Sequence, residues 1–234
     1  MTNKSIDKSP TRIQYLFSHV APHYDQNNDI ISLFLHRFIK HHVISQIPNQ
    51  HNGVEILDLC TGTGDIPKLL KKRFPNSKIT GVDFCEEMLN IATHKNKHKN
   101  ITFTQADCLN LPFQDNSFDI VTISFGLRNT ADYDKAISEI ARVLRPNGIF
   151  VHVDFDKESK FIDKIFLEIV KFVAQLQEDE SYVYLLESKQ AFPAAEDLIK
   201  LFATHGLKLE KRQDYLHGLI SAQFCSKKDI LQTY

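Results

Sequence analysis

The chain has 234 residues, of which 42% are hydrophobic and 24% charged, the balance of a globular protein large enough to bury a substantial core. Lys+Arg 28 against Asp+Glu 29 leaves a formal net charge of −1, which offers no global attraction to a polyanion and argues against a nucleic-acid partner. The four cysteines, Cys60, Cys85, Cys108 and Cys225, form no C-x-x-C pair, so neither a disulfide framework nor a metal site is expected.

The first residues, "MTNKSIDKSPTRIQ", carry neither the apolar stretch of a signal peptide nor an Arg-rich amphipathic pattern. No apolar run reaches the roughly 18 residues of a membrane span. A cytoplasmic protein, at most peripheral to a membrane, is the expectation.

In chain order, residues from about 11 to 47 read as two helices, the second being "DIISLFLHRFIKHHVI" (29–44). Then short apolar runs alternate with helical patterns. "VEILDLC" (54–60) is a predicted strand, followed by a helix over 65–74; "KITGVDF" (78–84) is a strand and "EEMLNIATHKNK" (86–97) a helix. "ITFTQAD" (101–107) and "FDIVTISF" (118–125) are further strands, and "YDKAISEIARVL" (133–144) is a helix stopped by Arg145-Pro146-Asn147-Gly148 before the strand "GIFVHVDF" (148–155). "KFIDKIFLEIVKFVAQL" (160–176) is a long amphipathic helix, read mainly as core packing and alternatively as the roof of a pocket for a greasy substrate. A Tyr-rich loop, another helix and the hairpin "LKLEKRQDYLHGLISAQFCSKK" (207–228) complete the chain.

This alternation predicts an α/β fold with a mostly parallel Rossmann-like sheet, helices on both faces and a C-terminal antiparallel hairpin. It divides one domain over 1–234 into N-terminal helices (about 11–47), a ligand-binding core (about 53–156), a helical insert (about 157–205) and a closing hairpin (about 206–228). Such sheets bind ligands beyond the carboxyl ends of their strands. The loop "LDLCTGTGD" (57–65) sits at that end of the first strand.

What that loop binds follows from what it lacks. A dinucleotide fingerprint needs G-x-G-x-x-G, and here Gly62-Thr63-Gly64 is followed by Asp65-Ile66-Pro67. Pro67 stands at the third glycine's place, and Asp65 opens the helix where a phosphate would want positive potential. Asp58 and Asp65 together read as an acidic rim suited to a cationic ligand such as S-adenosylmethionine. Asp83 ends the second strand 19 residues after Gly64, the spacing at which an acid reaches ribose hydroxyls. Asp107-Cys108 follows the third strand, placed for an adenine edge. The three strand ends together indicate a class I methyltransferase core.

"LDLCTGTGD", "GVDFCEEML", "FGLRNTAD", "ARVLRPNG", "FSHVAPHYDQNNDIISLFLHRF" and "SYVYLLESKQAFP" resemble the ubiquinone/menaquinone biosynthesis C-methyltransferase family, and the resemblance covers about residues 17–227. It implies S-adenosylmethionine as methyl donor and a ring carbon of a polyprenyl quinol as acceptor, with demethylmenaquinol foremost and a ubiquinol precursor beside it. The family's cofactor contacts fall on Thr63, Asp83, Asp107-Cys108 and Ser124, which join Gly62 and Gly64 of the loop. The resemblance also leaves open peripheral membrane contact and a homodimer. Departures are Cys60-Thr61, where the family has Ala-Gly, "SAQFCSKK", where it has a His and a Gly, and a shortened stretch between Asp156 and Ser181.

A quinol ring carbon becomes nucleophilic when a neighbouring hydroxyl ionises, and by analogy with tyrosine that hydroxyl titrates near about 10. The site must therefore favour the phenolate. Arg128, after the fourth strand, is assigned that role because guanidinium stays protonated, with Asn129 as a second donor. The competing reading of Arg128 is a surface salt bridge to an acid such as Asp132. Tyr24, Asp25, Tyr184, Glu187, His217 or water stand as proton acceptors. Two other functions remain at this point, namely a methyltransferase for another phenolic or lipid acceptor, and a cofactor-binding relative without catalysis.

Overall fold

A computed structural model describes residues 6–49, 53–157, 160–177 and 180–228. Five apolar runs form the parallel strands β1 (Glu55–Leu59), β2 (Lys78–Asp83), β3 (Ile101–Gln105), β4 (Phe118–Ser124) and β5 (Leu144–Phe155), and β6 (Leu207–Tyr215) with β7 (Ile220–Lys227) forms the closing hairpin. The seven strands lie in the order β3-β2-β1-β4-β5-β7-β6. All neighbours from β3 to β5 pair parallel, whereas β7 pairs antiparallel with both β5 and β6. The chain direction across the sheet reverses between β1 and β4, the crevice where such folds bind ligands.

Successive strand residues point to opposite faces, and the core divides accordingly. Leu57, Val121 and Phe150 pack on one face with Ile137 and Ile140 of α6 (Tyr133–Val143) and Phe202 of α9 (Ala195–Thr204). Ile56, Ile120 and Val151 pack on the other with Ile39 of α3 (Leu35–Ser45) and Leu70 of α4 (Asp65–Arg73). The remaining helices are α1 (Pro10–Val20), α2 (Tyr24–Ser32), α5 (Glu86–Lys95), α7 (Lys160–Gln177) and α8 (Glu180–Ala191). The mostly parallel Rossmann-like sheet with its antiparallel C-terminal hairpin is as expected.

Three local expectations are corrected. The helix expected over 29–44 is broken, because Leu33 (φ 48°) and Phe34 (φ 63°) adopt left-handed conformations and turn the chain between α2 and α3. No Gly or Pro marks that break. The expected Tyr-rich loop lies within α8, where Tyr182 packs with Ile31, Val170 and Val173; burial against α7 overrides the weak helix propensity of Tyr and Val. β5 begins at Leu144 rather than 148, its pairing with β4 slipping between Phe118 and Ile120 beside the left-handed Asn147.

Candidate active site

β1 delivers its last residues into a loop that only unusual backbone conformations can make. Cys60, Gly62 and Gly64 have φ of 52°, 55° and 83°. Gly64 caps α4, and a Cβ there would stand 3.1 Å from Phe103 and 3.2 Å from Ala92, so glycine lets the helix approach the sheet. The loop is tied to β2 through Asp83: its carboxylate accepts the Gly62 N–H at 2.7 Å and the Cys85 N–H at 3.0 Å. Burial nevertheless raises the Asp83 carboxyl above its usual range, against those hydrogen bonds.

The acidic rim is not where the sequence places it. Asp58 lies beneath the loop, 1% exposed, and accepts the Thr61 and Thr122 hydroxyls at 2.6 Å each. Burial pushes its carboxyl up to about 7. Asp65 turns to Lys40 at 3.7 Å. The acids that face the ligand cleft are Asp83 and Asp107.

That cleft has about 820 Å³ of open space and brings together Gly62, Asp83, Asp107, Cys108, Ser124 and Asn129. Its lining does not include Thr63, Gly64 or Arg128. The Thr63 hydroxyl donates to Asp25 at 2.5 Å, and Asp25 in turn is ion-paired with Lys95, so both side chains clamp the loop to α2 and α5. The Asp107 carboxylate also accepts the Leu109 N–H at 2.9 Å, which shapes the turn after β3. Cys60 and Cys85 line the cleft beside Cys108. Cys60 fits because Gly126 lacks a side chain; a Cβ there would come within 2.3 Å of the Cys60 Cβ. The Cys108 thiol beside it and burial raise the Cys60 thiol well above its usual range.

Lys8, Pro10, Ile13, Gln14 and Phe17 close the cleft from the N-terminal side. Ser9 caps α1 by accepting the Arg12 N–H, and Ser18 donates to Glu87 at 2.7 Å, pinning that helix onto α5. Lys8 donates to the Arg128 carbonyl at 2.6 Å and to the Tyr133 hydroxyl. Burial and the nearby Arg128 charge bring its ammonium down to about 8. Its contact with Arg128 spans 120 residues of sequence, so no local pattern signals this role.

Arg128 is buried, 7% exposed, which excludes the surface salt bridge. Its Nη1 donates to Asp154 Oδ1 at 3.0 Å and to the Phe125 carbonyl at 2.5 Å, and its guanidinium lies 5.2 Å from the centre of the Phe155 ring. Asp132 instead caps α6 through the Lys135 N–H.

Two further cavities meet the cleft here. One, of about 550 Å³, is lined by Tyr24, Asn28, Arg128, Asn129 and Tyr184 among others. The other has about 1100 Å³ of open space and is mainly apolar, with Ile31, Ile39, Phe155, Phe166, Ile169 and Leu219 in its walls. Tyr24 lines all three cavities, Asn129 the cleft and the first of these, Arg128 the latter two. Four α7 residues, Ile162, Ile165, Phe166 and Ile169, roof the apolar cavity, while Val170 and Val173 serve core packing. Tyr24 and Tyr184 titrate above their usual range because they are buried, Tyr184 at about 12. Both therefore stay protonated at neutral pH, and the buried Tyr184 hydroxyl has no hydrogen-bond partner among the described residues. Glu187 and His217 are exposed and line none of the three cavities.

The donor set suits S-adenosylmethionine. Two acids line the cleft for an ammonium and ribose hydroxyls, and the buried Ser124 Oγ and Asn129 Oδ1 have no hydrogen-bond partner among the described residues. The sequence profile of the ubiE/COQ5 methyltransferase family matches residues 5–227. The chain belongs to that family.

Membership in the ubiE/COQ5 family makes the chain a methyltransferase and implies S-adenosylmethionine as its methyl donor. A relative from Rickettsia prowazekii (strain Madrid E), named ubiquinone/menaquinone biosynthesis C-methyltransferase UbiE, is 39% identical, with 93% of this chain and 94% of that one aligned. A demethylmenaquinone methyltransferase from Lactococcus lactis subsp. lactis (strain IL1403) is 36% identical over 96% of this chain and 94% of its own. The fold matches solved S-adenosylmethionine-dependent methyltransferases from Thermotoga maritima (TM-score 0.68, 18% identity, 92% of this chain and 100% of that one) and Aquifex aeolicus (TM-score 0.65, 18% identity, 95% and 100%).

Proposed function

We propose that this methyltransferase C-methylates a polyprenyl quinol, demethylmenaquinol foremost and a ubiquinol precursor as a second acceptor. The names of the Rickettsia and Lactococcus relatives support that acceptor class. The observation that carries the reading is the convergence of a cleft bearing the polar groups Asp83, Asp107, Ser124 and Asn129 and a large apolar cavity on Tyr24, Phe125 and the Arg128-Asn129 pair. A polyprenyl quinol needs both environments, a polar one for its ring hydroxyls and an apolar one for its tail.

In this reading Asp83 holds the ribose, Gly62 and Ser124 the backbone-facing edge and Asp107-Cys108 the adenine. Lys8 is the one cationic side chain among the described lining residues of the cleft, suited to the cofactor's carboxylate. S-adenosylmethionine supplies an electrophilic methyl group. Methyl transfer then forms a carbon–carbon bond and breaks the sulfur–carbon bond, S-adenosylhomocysteine leaves, and the proton of the methylated ring carbon passes to water. Arg128 favours the phenolate by charge, and its burial strengthens that field. Asp154 fixes the guanidinium's position. Tyr24 and Asn129 donate hydrogen bonds, and the closed cleft aligns the reactants.

Turnover of short-chain demethylmenaquinol and ubiquinol precursors against a panel of simple phenols, with labelled S-adenosylmethionine, tests the proposal. Label entering the quinols at a rate far above the phenols is expected. Preference for a phenol, or cofactor binding without any turnover, would replace it with one of the other two readings.

A further inference from the structure

The corner between α2 and α3 exposes large apolar side chains in water. Leu33, Phe38 and Phe34 are 69%, 65% and 63% exposed, Ile30 is 51% exposed, and Ile165 of α7 is 44% exposed. A cluster of this kind on a globular surface marks a place where another apolar phase makes contact. Leu33 and Phe34 also hold left-handed backbone conformations that bulky residues rarely adopt and that Asn or Gly would accept more easily. A polar turn would serve the bend better in water, so the apolar identity of both residues needs a reason outside the chain.

Two of these side chains stand at the mouth of the apolar cavity. Leu33 and Ile165 are exposed on the outside and line the cavity on the inside. A polyprenyl tail that outruns the cavity leaves across this patch. The material covering the patch must therefore accept the tail and release it. A bilayer does both, whereas a second copy of the chain seated here would close the mouth. Among the described residues no helix is long and apolar enough to cross a membrane, so contact with lipid rests on a surface.

We propose that the α2–α3 corner, together with Ile165, inserts into the interfacial region of a lipid bilayer and opens the cavity mouth toward the acyl chains. A polyprenyl quinol then passes between lipid and site without entering water; this step rests on the acceptor class proposed above. Two of the rim's cations are ion-paired within the chain, Arg37 to Asp29 through both oxygens and Lys40 to Asp65. Insertion is therefore driven chiefly by apolar burial, so neutral lipid suffices for it.

The chain contains no tryptophan, so Phe34→Trp gives a unique reporter at the corner. With phosphatidylcholine vesicles its emission should shift to the blue and be quenched by lipids brominated on their acyl chains. The double variant Phe34→Asn/Phe38→Gln changes two residues that line none of the three cavities and places Asn where a left-handed residue is required. Its partition into the same vesicles should fall by roughly ten-fold or more. Its turnover of long-tailed quinol in vesicles should fall in parallel, and its turnover of a water-soluble short-chain quinol should equal that of the unaltered chain. S-adenosylhomocysteine affinity, measured alongside, certifies the variant's fold.

Unshifted emission from the Phe34→Trp variant, or vesicle partition equal for the double variant and the unaltered chain, overturns the docking surface. A dimer in solution that the double variant dissociates, with vesicle partition unchanged, overturns it in favour of a second copy. Failure of the unaltered chain to methylate the short-chain quinol would instead refute the acceptor class, and the vesicle measurements would still decide the surface.

Discussion

Arg128 and Asp154 form an ion pair, Nη1 to Oδ1 at 3.0 Å, between the turn after β4 and the end of β5. Both side chains are at most 9% exposed, and the second Asp154 oxygen and the Arg128 Nε have no hydrogen-bond partner among the described residues. A buried pair of this kind contributes little to stability over an apolar replacement, which fits a role for the charge itself. Here the acid orients a guanidinium that also lines two cavities where an acceptor ring can lie.

If Arg128 stabilises a developing phenolate, Arg128→Lys should lower kcat by roughly 10²–10³-fold while cofactor affinity stays nearly constant. The shorter lysine stem and its compact ammonium cannot place the same charge where Nη1 meets Asp154 and the Phe125 carbonyl while the rest of the planar guanidinium faces the cavities. The deficit should shrink as pH rises toward the quinol's own pKa of about 10. Steady-state kinetics and S-adenosylmethionine titrations decide the matter; a deficit confined to cofactor binding would remove Arg128 from the chemical step.

Asp83→Ala should weaken S-adenosylmethionine binding by roughly 1.5–3 kcal/mol, the range for hydrogen bonds made by a charged group. The variant also frees the Gly62 N–H from its 2.7 Å partner, so the loop keeps the Thr61 N–H to Val82 carbonyl bond but loses its side-chain tie to β2. Calorimetry should therefore show a less favourable enthalpy as well as a higher Kd. An unaltered Kd would mean that the ribose lies elsewhere.

Much of the site was legible because it sits where apolar strands stop. The ends of β1, β2 and β4 fall within one residue of the expected positions and that of β3 within two, which sufficed to place Asp83, Asp107 and Ser124 around one cleft. The directions of the Thr63 and Asp58 side chains were not legible, because position on a loop does not fix the direction of a side chain. Thr63 points to Asp25, and Asp58 points beneath the loop to two threonine hydroxyls. Lys8 and Asp154 were not singled out, since each acts through a partner far along the chain, at separations of 120 and 26 residues. The break at Leu33-Phe34 was invisible for a different reason: neither residue favours the conformation it adopts.

Asp58 should make stability depend on pH in an unusual direction. Its carboxyl titrates near 7 in the fold and near about 4 unfolded, so between those values the folded state binds the extra proton. Stability from this group is full below about 4 and is lost as pH rises toward 7, by up to roughly 4 kcal/mol. Asp58→Asn removes the ionisation. Thermal unfolding followed across pH should show the variant gaining on the unaltered chain from about pH 4 to about pH 7. Parallel curves for the two proteins would place the titration on another group.

Cys60, Cys85 and Cys108 line the cofactor cleft, whereas Cys225 lies in β7 across the sheet. Burial raises the Cys85 thiol, the neighbouring Cys108 and burial raise that of Cys60, and burial takes Cys225 to about 12. Alkylation should be slow at Cys60 and Cys85 and slower still with saturating S-adenosylhomocysteine, while Cys225 gains no protection. Peptide-resolved alkylation rates give the answer, and protection at Cys225 alone would put the cofactor in the wrong place.

The proposed function requires a polyprenyl quinol to be methylated on carbon through its phenolate at the junction of three cavities. The most direct test is to supply S-adenosylmethionine with a deuterated methyl group and to compare demethylmenaquinol, kept reduced, with the oxidised quinone. NMR of the product then locates the label. The account predicts one deuterated methyl on a ring carbon of the quinol and no product from the quinone, which has no hydroxyl to ionise. Label on oxygen, or equal turnover of quinol and quinone, would contradict it.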